Sequence, residues 1–147
     1  MDKHIHLESV DPENWRTRFE LTEEQEHFVA KPAVILARAW AFRDYGSKAF
    51  IIYVDETPVG MALYYGIDDP AGYCFSEFFI DRRYQGKGYG KEAAGRILDM
   101  MKAERKFDKV WLCYIEGNEA ARKMYEGLGF RDTGEPDGDE IIMVKDI

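Results

Sequence analysis

The segment Ile80-Asp81-Arg82-Arg83-Tyr84-Gln85-Gly86-Lys87-Gly88-Tyr89-Gly90-Lys91 constrains this chain more than any other. An apolar, strand-like run (73–80) leads into it. A helical pattern follows from Gly88 or Tyr89 to about Lys102, with Ala94, Ile97, Leu98 and Met101 at the spacing of a buried stripe. A strand, a glycine-rich turn and a helix N-terminus in succession aim unpaired amides and the positive end of a helix dipole at one spot, which suits a pyrophosphate. Within 81–92, Arg82, Arg83, Lys87 and Lys91 stand against Asp81 and Glu92, a local charge of +2 in a chain of net charge −8.

Two familiar phosphate loops do not fit. A P-loop needs a hydroxyl residue after Gly-Lys to reach magnesium, and here Gly90-Lys91 is followed by Glu92. A dinucleotide fingerprint needs G-x-G-x-x-G, and Gly86, Gly88 and Gly90 have the wrong spacing.

The 147 residues suit one domain, 1–147, able to bury a core without metals or disulfides. The acidic balance, with a sequence pI near 4.9, repels polyanions and argues against nucleic acid, while it favours a cationic small molecule. No apolar run reaches the ~20 residues that cross a bilayer, so no membrane partner is expected. Cys74 and Cys113 both fall in strand-like runs, which predicts buried free thiols in a reducing, cytoplasmic setting. His4 and His6 share a face of a short strand (3–8), but no third ligand accompanies them, so no metal is expected.

Thr22-Glu23-Glu24-Gln25 reads as a capping box opening a helix to about Ala30. A second helix follows Pro32 over 33–43, so apolar that burial on most sides is expected. Runs 49–54 and 58–65 form a hairpin around Asp55-Glu56-Thr57, and 73–80 adds a third strand. After the central helix come a strand (109–115), a helix (118–128) and two short strands near 130–133 and 140–145. This order predicts an α/β (α+β) architecture on one mixed sheet.

Gln85 to Gly90 resembles the Q/R-x-x-G-x-G/A signature of GNAT acetyltransferases. Asn118 to Phe130, with Ala121, Tyr125 and Gly129, is similar to the N-x-x-A-x-x-x-Y-x-x-x-G-F motif of the same superfamily. The resemblance covers 48–145, leaving 1–45 as the variable strand and helices that shape the acceptor site. It implies the GNAT fold, a twisted mixed sheet with helices on both faces. Within the superfamily the chain looks closest to bacterial spermine/spermidine acetyltransferases, through Phe79-Ile80-Asp81, Tyr84-Gln85-Gly86-Lys87-Gly88 and the helical Glu24-Gln25-x-x-Phe28-Val29-Ala30. The implied reaction moves acetyl from acetyl-coenzyme A to a primary amine by direct attack. The implied acceptor is a polyamine or related small cationic amine. A protein N-terminus, a lysine, an aminoglycoside, an amino acid and a non-catalytic coenzyme A sensor remain as alternatives. A homodimer through an edge or C-terminal strand is compatible with the family.

The resemblance assigns coenzyme binding to Phe78, Phe79 and Ile80 at the strand end, to Gln85, Gly86, Lys87, Gly88, Tyr89, Gly90 and Lys91 in the turn, and to Asn118, which also caps its helix. It assigns Tyr125 as general acid to the leaving thiolate. On chemistry alone the base matters more: an alkylammonium of pKa about 10.4 must lose its proton, costing roughly 4.6 kcal/mol at pH 7. Glu77, just before the strand end, is the candidate base or amine anchor, with Glu116 and Glu24 as rivals. Strand alternation places Glu77 opposite in face to Ser76 and Phe78 unless a bulge intervenes.

Overall fold

The computed structural model describes residues 3–147. Strand β1 (Ile5–Ser9) is followed by helices α1 (Glu23–Phe28) and α2 (Pro32–Ala41). Strands β2 (Lys48–Val54), β3 (Thr57–Asp68) and β4 (Ala71–Ile80) form a meander, and α3 (Tyr89–Glu104) crosses to β5 (Lys109–Ile115). Then come α4 (Glu119–Gly127) and the hairpin β6 (Arg131–Asp137) and β7 (Glu140–Asp146). One seven-stranded sheet results, in the order β1-β2-β3-β4-β5-β7-β6. Among the described residues only β4 and β5 pair in parallel.

Two apolar cores separate the helices onto opposite faces. The larger joins Ala94, Ile97 and Met101 of α3 and Tyr125 of α4 to Tyr64, Tyr73, Phe75, Val110 and Leu112. The smaller joins Ile35 of α2 to Ile51, Met61, Leu63 and Phe79. The apolar sequence of α2 predicts cover on most sides, yet only Ile35 is buried, while Val34 is 48% and Trp40 68% exposed. A ten-residue helix lying on a sheet presents one stripe to it, here over β2 and β3. The expectation of two buried thiols is likewise corrected, since Cys74 is half-buried and Cys113 exposed. Helix α2 lies mainly over β2 and β3, and Cys113 of β5 is left exposed.

Two irregularities position the site. Strands β4 and β5 pair only at Tyr73 with Val110 and Cys74 with Trp111, and then diverge, which opens a wedge at their C-terminal ends. On the other side of β4, Glu77 faces Leu63 while Phe75 faces Tyr64, so Ser76 is an extra, bulged residue.

Candidate active site

The turn after β4 is held from beneath by a buried carboxylate. Asp81 is fully buried and accepts from the amides of Glu20 (2.8 Å) and Arg83 (2.9 Å) and from the Arg83 guanidinium (2.8 and 3.0 Å). Burial alone pushes its pKa up, but these hydrogen bonds outweigh it and hold the carboxyl below its ordinary range. The carbonyl of Ile80 accepts from both Gln25 Nε2 (2.8 Å) and Gln85 Nε2 (2.9 Å). The Gln85 side chain thus braces the strand end, and Gln25 ties α1 to it. Gln25 also completes the capping box expected at Thr22, with both reciprocal bonds formed at 2.8 and 3.0 Å.

Above this clamp, Gly86 and Gly88 adopt φ of +76° and +83°, the left-handed region that side chains disfavour. A Cβ on either would meet no atom within 4 Å, so the backbone here borders open space. Gly90 is tighter, with Ile80 and Met124 both 3.5 Å from where a Cβ would sit. Among the described residues, no amide from 85 to 91 donates to a protein acceptor, and the first such bond of α3 is Glu92 to Gly88 O. The local positive charge is smaller than the sequence implies. Arg82 pairs with Glu20, and Arg83 with Glu20 and Asp81. Lys87 and Lys91 are both exposed and outside the cavity lining, so the amides and the helix dipole dominate the turn.

A cavity of about 440 Å³ runs from this turn past Phe78, Phe79 and Ile80 to Tyr125, with α1 forming its far wall. Beside it lies a compartment of about 70 Å³ bounded by Ser76, Glu77, Cys113 and Ile115. Phe28, Phe78, Asn118 and Tyr125 line both spaces. Asn118 Oδ1 accepts from the Ala121 amide (3.2 Å), capping α4, and fixes the helix that carries Tyr125. The Tyr125 ring packs edge-on against Phe75 and Phe130. Among the described residues its hydroxyl has no hydrogen-bond partner, yet it is not a sealed polar atom, so it faces the cavity. Burial, reinforced by the charge of Glu77, pushes its pKa well above the ordinary phenol value.

The bulge overturns simple alternation at Glu77. Arg38 of α2 donates to Ser76 Oγ (3.3 Å) and pairs with the Glu77 carboxylate, so both side chains face α2. Glu77 is 13% exposed. Burial raises its pKa, Arg38 opposes the rise, and Glu140 adds to it. Glu24 lines the larger cavity from α1 with its side chain exposed. Glu116 is exposed in the turn after β5, and neither space includes it. Sequence reasoning misses Arg38, whose signal is its position as the lone charge within an apolar helix, and it misses the internal role of Asp81.

Against this geometry, the model of the acetyltransferase (GNAT) family matches residues 8–130. The chain belongs to this family. It is an acetyltransferase, and its sheet and flanking helices are the GNAT fold. A spermine/spermidine N(1)-acetyltransferase of Bacillus subtilis is 30% identical, over 97% of this chain and 99% of that one. The spermidine N-acetyltransferase of Vibrio cholerae, solved with CoA and spermine, superposes with a TM-score of 0.73 at 16% identity, covering 97% and 95% of the two chains. The ribosomal-protein-S5-alanine acetyltransferase of Vibrio fischeri superposes with 0.74 at 18% identity, covering 99% and 94%. Backbone likeness is thus equal for a polyamine enzyme and a protein enzyme.

Proposed function

We propose that this GNAT enzyme moves the acetyl group of acetyl-coenzyme A to a primary amine of a polyamine. One observation carries the reading: a single cavity joins unpaired turn amides to the free Tyr125 hydroxyl and, through shared walls, to Glu77. The cofactor's pyrophosphate fits the turn, because Gly86 and Gly88 leave its approach open and residues 85–91 offer their amides. Phe78, Phe79 and Ile80 wall the pantetheine path, and Asn118 reaches it from α4. Acetyl-coenzyme A supplies an activated thioester.

The chain's own residues then manage one proton and one developing charge. Glu77 is the base or amine anchor, directly or through water, and its burial makes it a stronger proton acceptor than an exposed carboxylate. Arg38 holds it in the rotamer that faces the compartment. Glu24 at the cavity wall serves as a secondary anchor for the cationic acceptor. Tyr125 acts on the leaving sulfur. A thiol has a pKa of about 8.5, below any phenol raised above 10, so full proton transfer from Tyr125 is uphill and the hydroxyl works as a hydrogen-bond donor. Direct attack is favoured over a cysteinyl intermediate. Partial burial and Glu140 push the Cys113 thiol up to about 11, and burial raises Cys74, so neither is an effective nucleophile near neutrality.

The polyamine acceptor draws support from the full-length relative at 30% identity and from the net charge of −8. The test is coenzyme A release with spermidine, spermine, simple monoamines, aminoglycosides and N-terminal peptides. Turnover on polyamines at the lowest KM supports the reading. Turnover on peptides alone refutes it.

A further inference from the structure

The α2 side of the sheet beyond β4 carries a floor that the catalytic groups do not use. Cys74 lies beside Trp111 in parallel register and packs with the core under α2. Alternate residues share a face, so Trp111, Cys113 and Ile115 point to that same side. Across β7, Ile142 stands opposite Cys113, and Glu140 opposite Ile115. Directly opposed residues hold their Cβ atoms about 5 Å apart on one face. Ile115 and Cys113 line the small compartment together with Glu77. An apolar strip of Cys113, Ile115 and Ile142 therefore has Glu77 at one end and Glu140 at the other.

The two carboxylates are not equivalent. Glu77 is paired with Arg38 and mostly buried. Glu140 is half-buried and pairs with no cation among the described residues. Glu140 stands outside the compartment lining, one strand beyond it and across from the lining residue Ile115, and its charge is felt at Glu77, Cys74 and Cys113 alike. A separate observation marks this space as a ligand site: the Tyr125 hydroxyl, on a side chain 9% exposed, has no protein partner and faces the lining the two cavities share. An acceptor filling the arrangement has a reactive amine near Tyr125 and Glu77, an alkyl linker on the apolar strip, and a second cation at Glu140.

We propose that Glu140 determines acceptor specificity by binding the distal ammonium of an alkyl-linked di- or polyamine. This rests on the polyamine reading and adds its recognition element. A monoamine leaves Glu140 unused, so Glu140 adds to the selectivity between the two acceptor classes, beside any contribution of Glu24.

The test is steady-state kinetics of the intact enzyme and its Glu140→Gln variant with spermidine, 1,3-diaminopropane and n-butylamine, at saturating acetyl-coenzyme A. The expected result is a rise of about tenfold in KM for spermidine and the diamine, with kcat within about twofold and the monoamine KM unchanged. Glu140→Asp is expected to recover most of the spermidine affinity, and added salt is expected to weaken spermidine binding less in Glu140→Gln than in the parent. An unchanged spermidine KM in an active Glu140→Gln enzyme overturns the assignment of Glu140 and leaves the polyamine reading standing. An equal loss for mono- and polyamines overturns it as a merely structural effect. A parent enzyme without turnover on any polyamine overturns both.

Discussion

Replacing Asp81 by asparagine tests how the phosphate turn is built. Both carboxylate oxygens are occupied, Oδ1 by the Arg83 amide and Nε, and Oδ2 by the Glu20 amide and Nη2 of Arg83. The Arg83 side chain is 46% exposed, so its ion pair is screened and contributes little. The two backbone amides matter more, because a hydrogen bond to a charged acceptor is worth about 1.5–3 kcal/mol. Asparagine keeps one oxygen and turns a donor toward the Glu20 amide, so Asp81→Asn is expected to lose about 2 kcal/mol and Asp81→Ala about 4 kcal/mol. With a urea m-value near 2 kcal/mol/M, the asparagine variant unfolds about 1 M earlier at pH 7. The sign of the pH dependence follows from the lowered carboxyl. Its stabilisation is present above the unfolded pKa, near 3.9, and is lost as pH falls through the folded value. The gap between parent and variant should therefore narrow below about pH 4. Because Glu20 also accepts from the Arg82 amide (2.8 Å), the variant should loosen the turn and raise the KM for acetyl-coenzyme A. Urea unfolding at pH 7 and pH 3.5 decides the matter. A midpoint shift below about 0.2 M at pH 7, or a gap that persists undiminished in acid, refutes the argument.

Tyr125→Phe is expected to lower kcat roughly ten- to hundredfold with little change in KM and no loss of stability, since the hydroxyl it removes has no protein partner; an unchanged kcat returns Tyr125 to the core. Gly88→Glu is expected to abolish acetyl-coenzyme A binding by calorimetry, through a side chain in the open approach, charge repulsion and about 1–2 kcal/mol of left-handed strain; retained micromolar affinity contradicts the placement of the cradle. Arg38→Met removes the cation that opposes the burial-raised pKa of Glu77, so the acid limb of the kcat/KM profile should move to higher pH. A folded carboxyl held above its unfolded value costs stability as pH rises between the two, so the variant should also lose more stability than the parent toward neutral pH; an acid limb that stays in place removes Arg38 from the site.

The turn from Ile80 to Lys91 and the helix from Asn118 were legible because their signals are local. Glycine at a positive φ, an N-cap asparagine and a capping box are each satisfied within a few residues of where they are written. The strand and helix order followed from periodicity for the same reason. The fate of the charges was not legible. In sequence Arg82 and Arg83 count toward a local positive charge around the turn, yet Glu20, some sixty residues earlier, and the adjacent Asp81 engage them. Helix α2 read as buried because composition counts apolar residues without showing how many sides a neighbour covers.

The primary structure alone determined the family and the amide-rich turn, since both rest on residue types at short, fixed spacing. Tertiary structure alone decided which carboxylate lines the small compartment together with Tyr125. The bulge at Ser76 rotates Glu77 toward α2 and Arg38, and the divergence of β4 from β5 opens the space they share. Both depend on register between strands distant in sequence, where one extra residue exchanges the faces of a sheet.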